Sequence, residues 1–205
     1  MIVLGLTGSV GMGKSTAAAM FRRLGVPVHD SDVAVHRLLG RNGAAVKRVA
    51  AEFAGVLRGD GSIDRAALGA KVFGDGAALA RLERILHPLV RASQQRFLAV
   101  ARARRAPLVV LDVPLLFETG GGRRCDKVVV VSAPAFLQRR RVMARPGMTQ
   151  ARFRAILAKQ MPDPEKRRRA DYVVPSGLGR AVTFRRLRQI VERLRHSVSC
   201  GVSSG

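Results

Sequence analysis

Residues 5–16 read GLTGSVGMGKST, directly after the apolar run IVL at residues 2–4. Gly8, Gly13, Lys14 and Ser15 fit the spacing G-x-x-x-x-G-K-[ST]. The flanks supply the context that this pattern requires. IVLGLT is short, branched and apolar, as a buried strand of a parallel sheet is, and STAAAMFRRL has helical spacing until Gly25 stops it. A plain glycine turn explains one glycine but not the spacing. Without a β-carbon the backbone wraps closely round a phosphate and turns its N–H groups inward, while the following helix adds the positive end of its dipole. Lys14 adds a mobile cation for the β and γ phosphates, and the Ser15 hydroxyl is a candidate ligand for Mg2+. No G-x-G-x-x-G lies in the stretch, so a dinucleotide fold is not indicated.

The rest of the chain supports an α/β reading. VPVH (26–29) suggests a second short strand that delivers Asp30 and Asp32 to its carboxyl end. From about 33 to 106 the pattern is helical, with breaks expected at 40–43, 55–62, 74–76 and Pro88. Strand character returns in LVVLDVPLL (108–116) and KVVVVSA (127–133). Two basic helical stretches follow, 135–145 and 150–160, the second capped by Thr149. DYVV (171–174) reads as a last strand and 180–196 as a closing helix. Strands separated by helices imply a parallel sheet covered on both faces. The expected organisation is a core from 1–32, 107–134 and 171–197, a helical substrate-binding lobe over 33–106, a basic helical lid over 135–170 and a flexible tail over 198–205.

Composition narrows the partners. The 205 residues carry 37 Lys plus Arg against 14 Asp plus Glu, a net charge of +23, which favours an anionic ligand. With eight Phe, one Tyr and no Trp there is little surface on which bases could stack, so no nucleic-acid partner is expected, although backbone-only binding stays open. Cys125 and Cys200 stand alone, without metal-ligand or disulfide spacing, and read as reduced thiols of a cytoplasmic protein. Neither an export signal nor a membrane span is indicated, and a monomer is the expected form.

A phosphate loop implies a nucleoside triphosphate but not its fate. GTPases read guanine through N-K-x-D, whereas the one asparagine here, Asn42, is followed by glycine. A small-molecule kinase is the better reading if an acceptor site exists. Asp32 is a candidate to orient an acceptor hydroxyl and take its proton; its alternative role is to cap the following helix. Asp112, at the end of LVVL, is placed either to hold the metal or as a plain strand-end carboxylate. Arg141 and Arg145, four apart with Gln138 on the same side, would share one helix face and close over the phosphates. Two rivals remain open: another small-molecule kinase of the shikimate kinase type, and a nucleotide-gated nucleic-acid binder.

GLTGSVGMGKST, HDSDVAVHRLL, SIDRAALGAKVF, LERILHPLV, VLDVPLLFETG and QRRRVMARPGMT, in that order, resemble the dephospho-CoA kinase family from residue 2 to about 174. The resemblance implies a P-loop core with a helical substrate lobe and an arginine-bearing lid. It implies transfer of the ATP γ-phosphoryl group to the ribose 3′-hydroxyl of dephospho-CoA. Gly11, Met12, Gly13, Lys14, Ser15 and Thr16 would then hold ATP, Asp32 would be the carboxylate at the acceptor hydroxyl, and Arg141 the lid arginine. Arg65 and His87 would fall in the acceptor lobe, though His87 before Pro88 equally suits a helix start. Leu115, Leu116, Phe117 and Glu118 match the segment that walls the acceptor site. One departure stands out: the family often has an Asn-containing turn beside adenine, where this chain reads VVPSGLG (173–179).

Overall fold

The computed structural model describes residues 1–200, with side chains through 197. The strands are β1 (Ile2–Thr7), β2 (Val28–Asp30), β3 (Leu108–Asp112), β4 (Lys127–Ser132) and β5 (Tyr172–Pro175). Among the described residues they form one five-stranded sheet in the order β2-β3-β1-β4-β5. β1 lies parallel to β3 and β4, and β4 to β5. The helices are α1 (Lys14–Arg23), α2 (Ser31–Leu39), α3 (Val46–Glu52), α4 (Arg65–Val72), α5 (Gly76–Ala103), α6 (Ala135–Met143), α7 (Gln150–Ala158), α8 (Asp163–Arg168) and α9 (Arg180–Cys200).

The chain divides into two compact units, Met1–His29 with the chain from Ala101 onward, and Asp30–Val100. In the first, strand alternation sorts the side chains. Leu4, Leu6, Val110, Val129, Val131 and Val174 pack with Ala17, Ala18 and Phe21 of α1 and with Leu187, Val191 and Leu194 of α9. The intervening residues of β4, Val128 and Val130, form a second cluster with Leu116. Each such large side chain contributes about 1.5–3 kcal/mol on burial. In the second unit Val49, Phe53, Val56, Leu68, Leu82 and Leu86 make a separate core.

Several expected boundaries shift. α5 runs through Pro88 without a break. Proline removes one N–H and strains a helix by about 3 kcal/mol, but Leu82 and Leu86 before it are buried in the unit's core and Leu89 after it packs against that core. His87 is therefore mid-helix and exposed, not a helix start. β3 ends at Asp112, and residues 114–120 form turns instead of continuing the strand. α8 falls in the basic stretch 163–168, which carries no apolar periodicity to announce it. The expected tail over 198–205 begins inside α9, which continues to Cys200; 201–205 and the Cys200 side chain lie outside the described residues. Cys125 is a free thiol, and burial pushes it up to about 11, so it stays protonated and inert at neutral pH.

Candidate active site

The phosphate loop connects the end of β1 to the start of α1, and its glycines are there for room as well as for conformation. A β-carbon on Gly8 would stand 2.6 Å from the Val131 carbonyl oxygen. Gly11 has φ +77°, and a β-carbon there would meet Val142 Cγ2 at 2.5 Å. Gly13, left-handed at φ 93°, is the N-cap of α1 and makes no side-chain cap, so the helix opens with amide groups unclaimed by a capping side chain. Lys14, Ser15 and Thr16 form that first turn, Ser15 exposed and Thr16 half-buried. The result is a helix start whose amide groups are open to an anion, with a cation beside it.

Lys14 is already held in place. Its Nζ donates to Asp112 Oδ1 at 2.6 Å, and the Asp112 side chain is 1% exposed. Sequence reading placed Lys14 in the loop after the first strand and Asp112 at the end of LVVL, and the parallel pairing of β1 with β3 brings them together. Among the described residues no cluster of three or more His, Cys, Asp or Glu could cage a metal ion. Mg2+ is commonly bound by one or two protein oxygens and otherwise by substrate phosphates and water. Ser15 and Asp112 are oxygen donors of the right kind.

Arg141 lies on α6 and reaches back to the loop. Its Nη1 donates to Ser176 Oγ at 3.0 Å and toward Gly11 O at 3.4 Å, and its Nη2 donates to Ser176 O at 2.8 Å. A guanidinium has five N–H donors, so some remain for a ligand oxygen. Arg145 is different. α6 ends at Met143, and Arg145 lies beyond it, exposed, so the two arginines do not share the helix face that their spacing suggested. Thr149 caps α7 as expected, accepting from Arg152 N at 3.2 Å.

In the second unit, the capping duty at α2 falls to Asp30. Its Oδ1 accepts from the N–H groups of Asp32 and Val33, each at 3.0 Å. Asp32 sits one residue into the helix, exposed, with its carboxylate not spent on the cap. Arg65 opens α4 behind the Asp64 cap and donates to His36 Nδ1 at 2.8 Å.

The segment 115–118 is tied down by a residue that sequence reading missed. Leu115 is half-buried, and the Glu118 Oε1 is ion-paired with Lys166 Nζ and accepts from Met161 N–H, both at 2.8 Å. Lys166 is fully buried, though it stands in the run EKRRR, where every neighbour suggested a solvated face. Burial alone would raise the Glu118 carboxyl; the paired Lys166 ammonium and the Met161 N–H outweigh it and hold the group below its usual value. Lys166→Met should therefore destabilise the protein by about 3–5 kcal/mol, by leaving Glu118 short of its counter-charge. Urea unfolding of Lys166→Met against Lys166→Met/Glu118→Gln checks this: the double variant should be the more stable. Since Glu118 is depressed in the folded state, its contribution is present near neutrality and fades as pH falls through that lowered folded value.

Comparison with known proteins identifies the family. The family profile described as dephospho-CoA kinase matches residues 2–178. A Dephospho-CoA kinase of Paramagnetospirillum magneticum is 69% identical over 167 residues, 82% of this chain and 78% of that protein. Another, of Mesorhizobium japonicum, is 58% identical over 195 residues, 95% of this chain and 98% of that protein. Among solved structures, a Thermus thermophilus protein superposes with a TM-score of 0.79 at 38% identity, covering 94% of this chain and 96% of that one.

Proposed function

The chain belongs to the dephospho-CoA kinase family, and from that premise we propose how its own residues move the ATP γ-phosphoryl group onto the ribose 3′-hydroxyl of dephospho-CoA. The observation that carries the reading is the extent of the family match, which runs from β1 through β5 and takes in the phosphate loop, α2 and the α6–α8 region together.

Amide groups of Gly11 to Thr16 hold the triphosphate at the start of α1, with Gly8 giving the loop its close approach. Lys14 swings from Asp112 to span the β and γ phosphates. Ser15 and Asp112 would hold Mg2+, which neutralises phosphate charge when bound. Asp32 accepts the hydrogen bond of the 3′-hydroxyl and takes its proton as the new O–P bond forms and the bond from the γ-phosphorus to the β-phosphate bridging oxygen breaks, releasing ADP. Arg141 donates to the oxygens on which charge accumulates. Arg145, exposed beyond α6, acts only if the lid moves over the nucleotide. Arg65, His87, Leu115 and Glu118 belong to the acceptor side, Glu118 through the segment it anchors and not by direct contact. Among the described residues no helix is long and apolar enough to cross a membrane, and work as a cytoplasmic monomer completes the reading.

The test is direct. Protein, MgATP and dephospho-CoA should yield coenzyme A by mass spectrometry, while shikimate in place of dephospho-CoA should give no phosphorylated product. Phosphorylation of shikimate, or ATP hydrolysis with neither product, would remove the assignment.

A further inference from the structure

In a phosphate loop each peptide that turns its N–H toward the anion turns its carbonyl away, and that outward carbonyl needs a partner. Here the partners are side chains. Gln138 Nε2 donates to Val10 O at 2.8 Å, and the Ser176 hydroxyl donates to Met12 O at 2.6 Å. The Val10 N–H is also engaged, donating to Gln160 Oε1 at 3.0 Å. Val10 is thus gripped on both of its backbone groups by two glutamines. Gln138 comes from α6 and is buried; Gln160 follows α7. They flank α7 and the turn before it, so the loop and that helical segment are fastened at a single residue.

We propose that Gln138 and Gln160 are positioning residues for phosphoryl transfer. They fix the orientation of the Val10 backbone, so that the amides after it stay turned toward the triphosphate. Neither touches substrate. The inference rests on the reading that this loop binds ATP.

The polarity of the two contacts supplies the test, because a carbonyl only accepts and an N–H only donates. Gln138 must donate, and Gln160 must accept. A glutamate can replace the second and not the first. Gln138→Glu, Gln138→Leu and Gln160→Leu should each raise the ATP Kd and KM by about tenfold, the loss of one well-placed hydrogen bond. The KM for dephospho-CoA should change by less than about twofold. Gln160→Glu should recover most of what Gln160→Leu loses, whereas Gln138→Glu should recover nothing. Both glutamates bring the same charge, so charge alone does not produce that asymmetry. Calorimetric titration with a non-hydrolysable ATP analogue, beside steady-state kinetics and melting curves, measures all of it.

Equal behaviour of the two glutamate variants would overturn the proposal, as would lowered melting temperatures with native ATP affinity. Should Gln138→Glu fail to fold, Gln138→Met, of similar length and uncharged, must still separate the two substrates: a tenfold effect on ATP alone supports the proposal, and equal effects on both substrates overturn it. The native protein runs in parallel. Failure of the native protein to make coenzyme A would strike the family-based reading, whereas a native-like Gln138→Leu beside an active native protein strikes only this inference.

Discussion

Asp32→Asn should lower kcat by about 10³-fold while leaving the ATP Kd within about twofold of native. An amide keeps the size and can still accept a hydrogen bond from the acceptor hydroxyl, but it cannot take the proton, and general-base contributions of 10²–10⁴ are typical. Folding should be unaffected, because the cap of α2 is Asp30, whose Oδ1 holds both the Asp32 and Val33 amides, and Asp32 itself is exposed. Asp30→Ala is the informative contrast. It should reduce stability by about 1 kcal/mol, the usual loss for a helix cap, with its catalytic effect arising only through displacement of α2. If Asp32→Asn turned over at the native rate, Asp32 would have no part in proton transfer.

Lys14→Ala should lower kcat/KM by about 10³-fold, through ATP affinity as well as turnover, since the ammonium serves charge that is present in the ground state and grows in the transition state. It should also lower the melting temperature, because the Asp112 side chain, 1% exposed, loses the ammonium held at 2.6 Å. The two effects can be told apart. Kinetics at a temperature well below the melting point report the chemistry alone, and a loss that persists there belongs to phosphate binding. A Lys14→Ala protein with native kcat/KM for ATP would show that the triphosphate lies elsewhere.

What could be read from the sequence follows from where physical rules act locally. The strand, glycine loop and helix at 2–23 were legible because spacing, branching and helix start all agree there. Thr149 as a cap was legible for the same reason. Whether Asp32 caps α2 was not: Asp30, two positions earlier, is an equally good cap residue, and only the backbone geometry, with Asp30 extended at φ -104°, gives it the role. Pro88 misled because tertiary burial around α5 overrides local propensity. Lys166 was hidden in a basic run, since nothing in EKRRR marks the one member that faces inward. Gln138 and Gln160 carried a faint signal as uncharged amides in an arginine-rich stretch, but their shared target, Val10, lies 128 and 150 residues away in sequence.

The most direct measurement is a crystal structure of the protein with dephospho-CoA and a non-hydrolysable ATP analogue. The β and γ phosphates should lie within hydrogen-bond reach of the amides of Gly11 to Thr16, Lys14 Nζ should have moved from Asp112 onto them, and the ribose 3′-oxygen should meet the Asp32 carboxylate. A triphosphate seated away from those amides, or a ribose whose 3′-oxygen faces another residue, would contradict it.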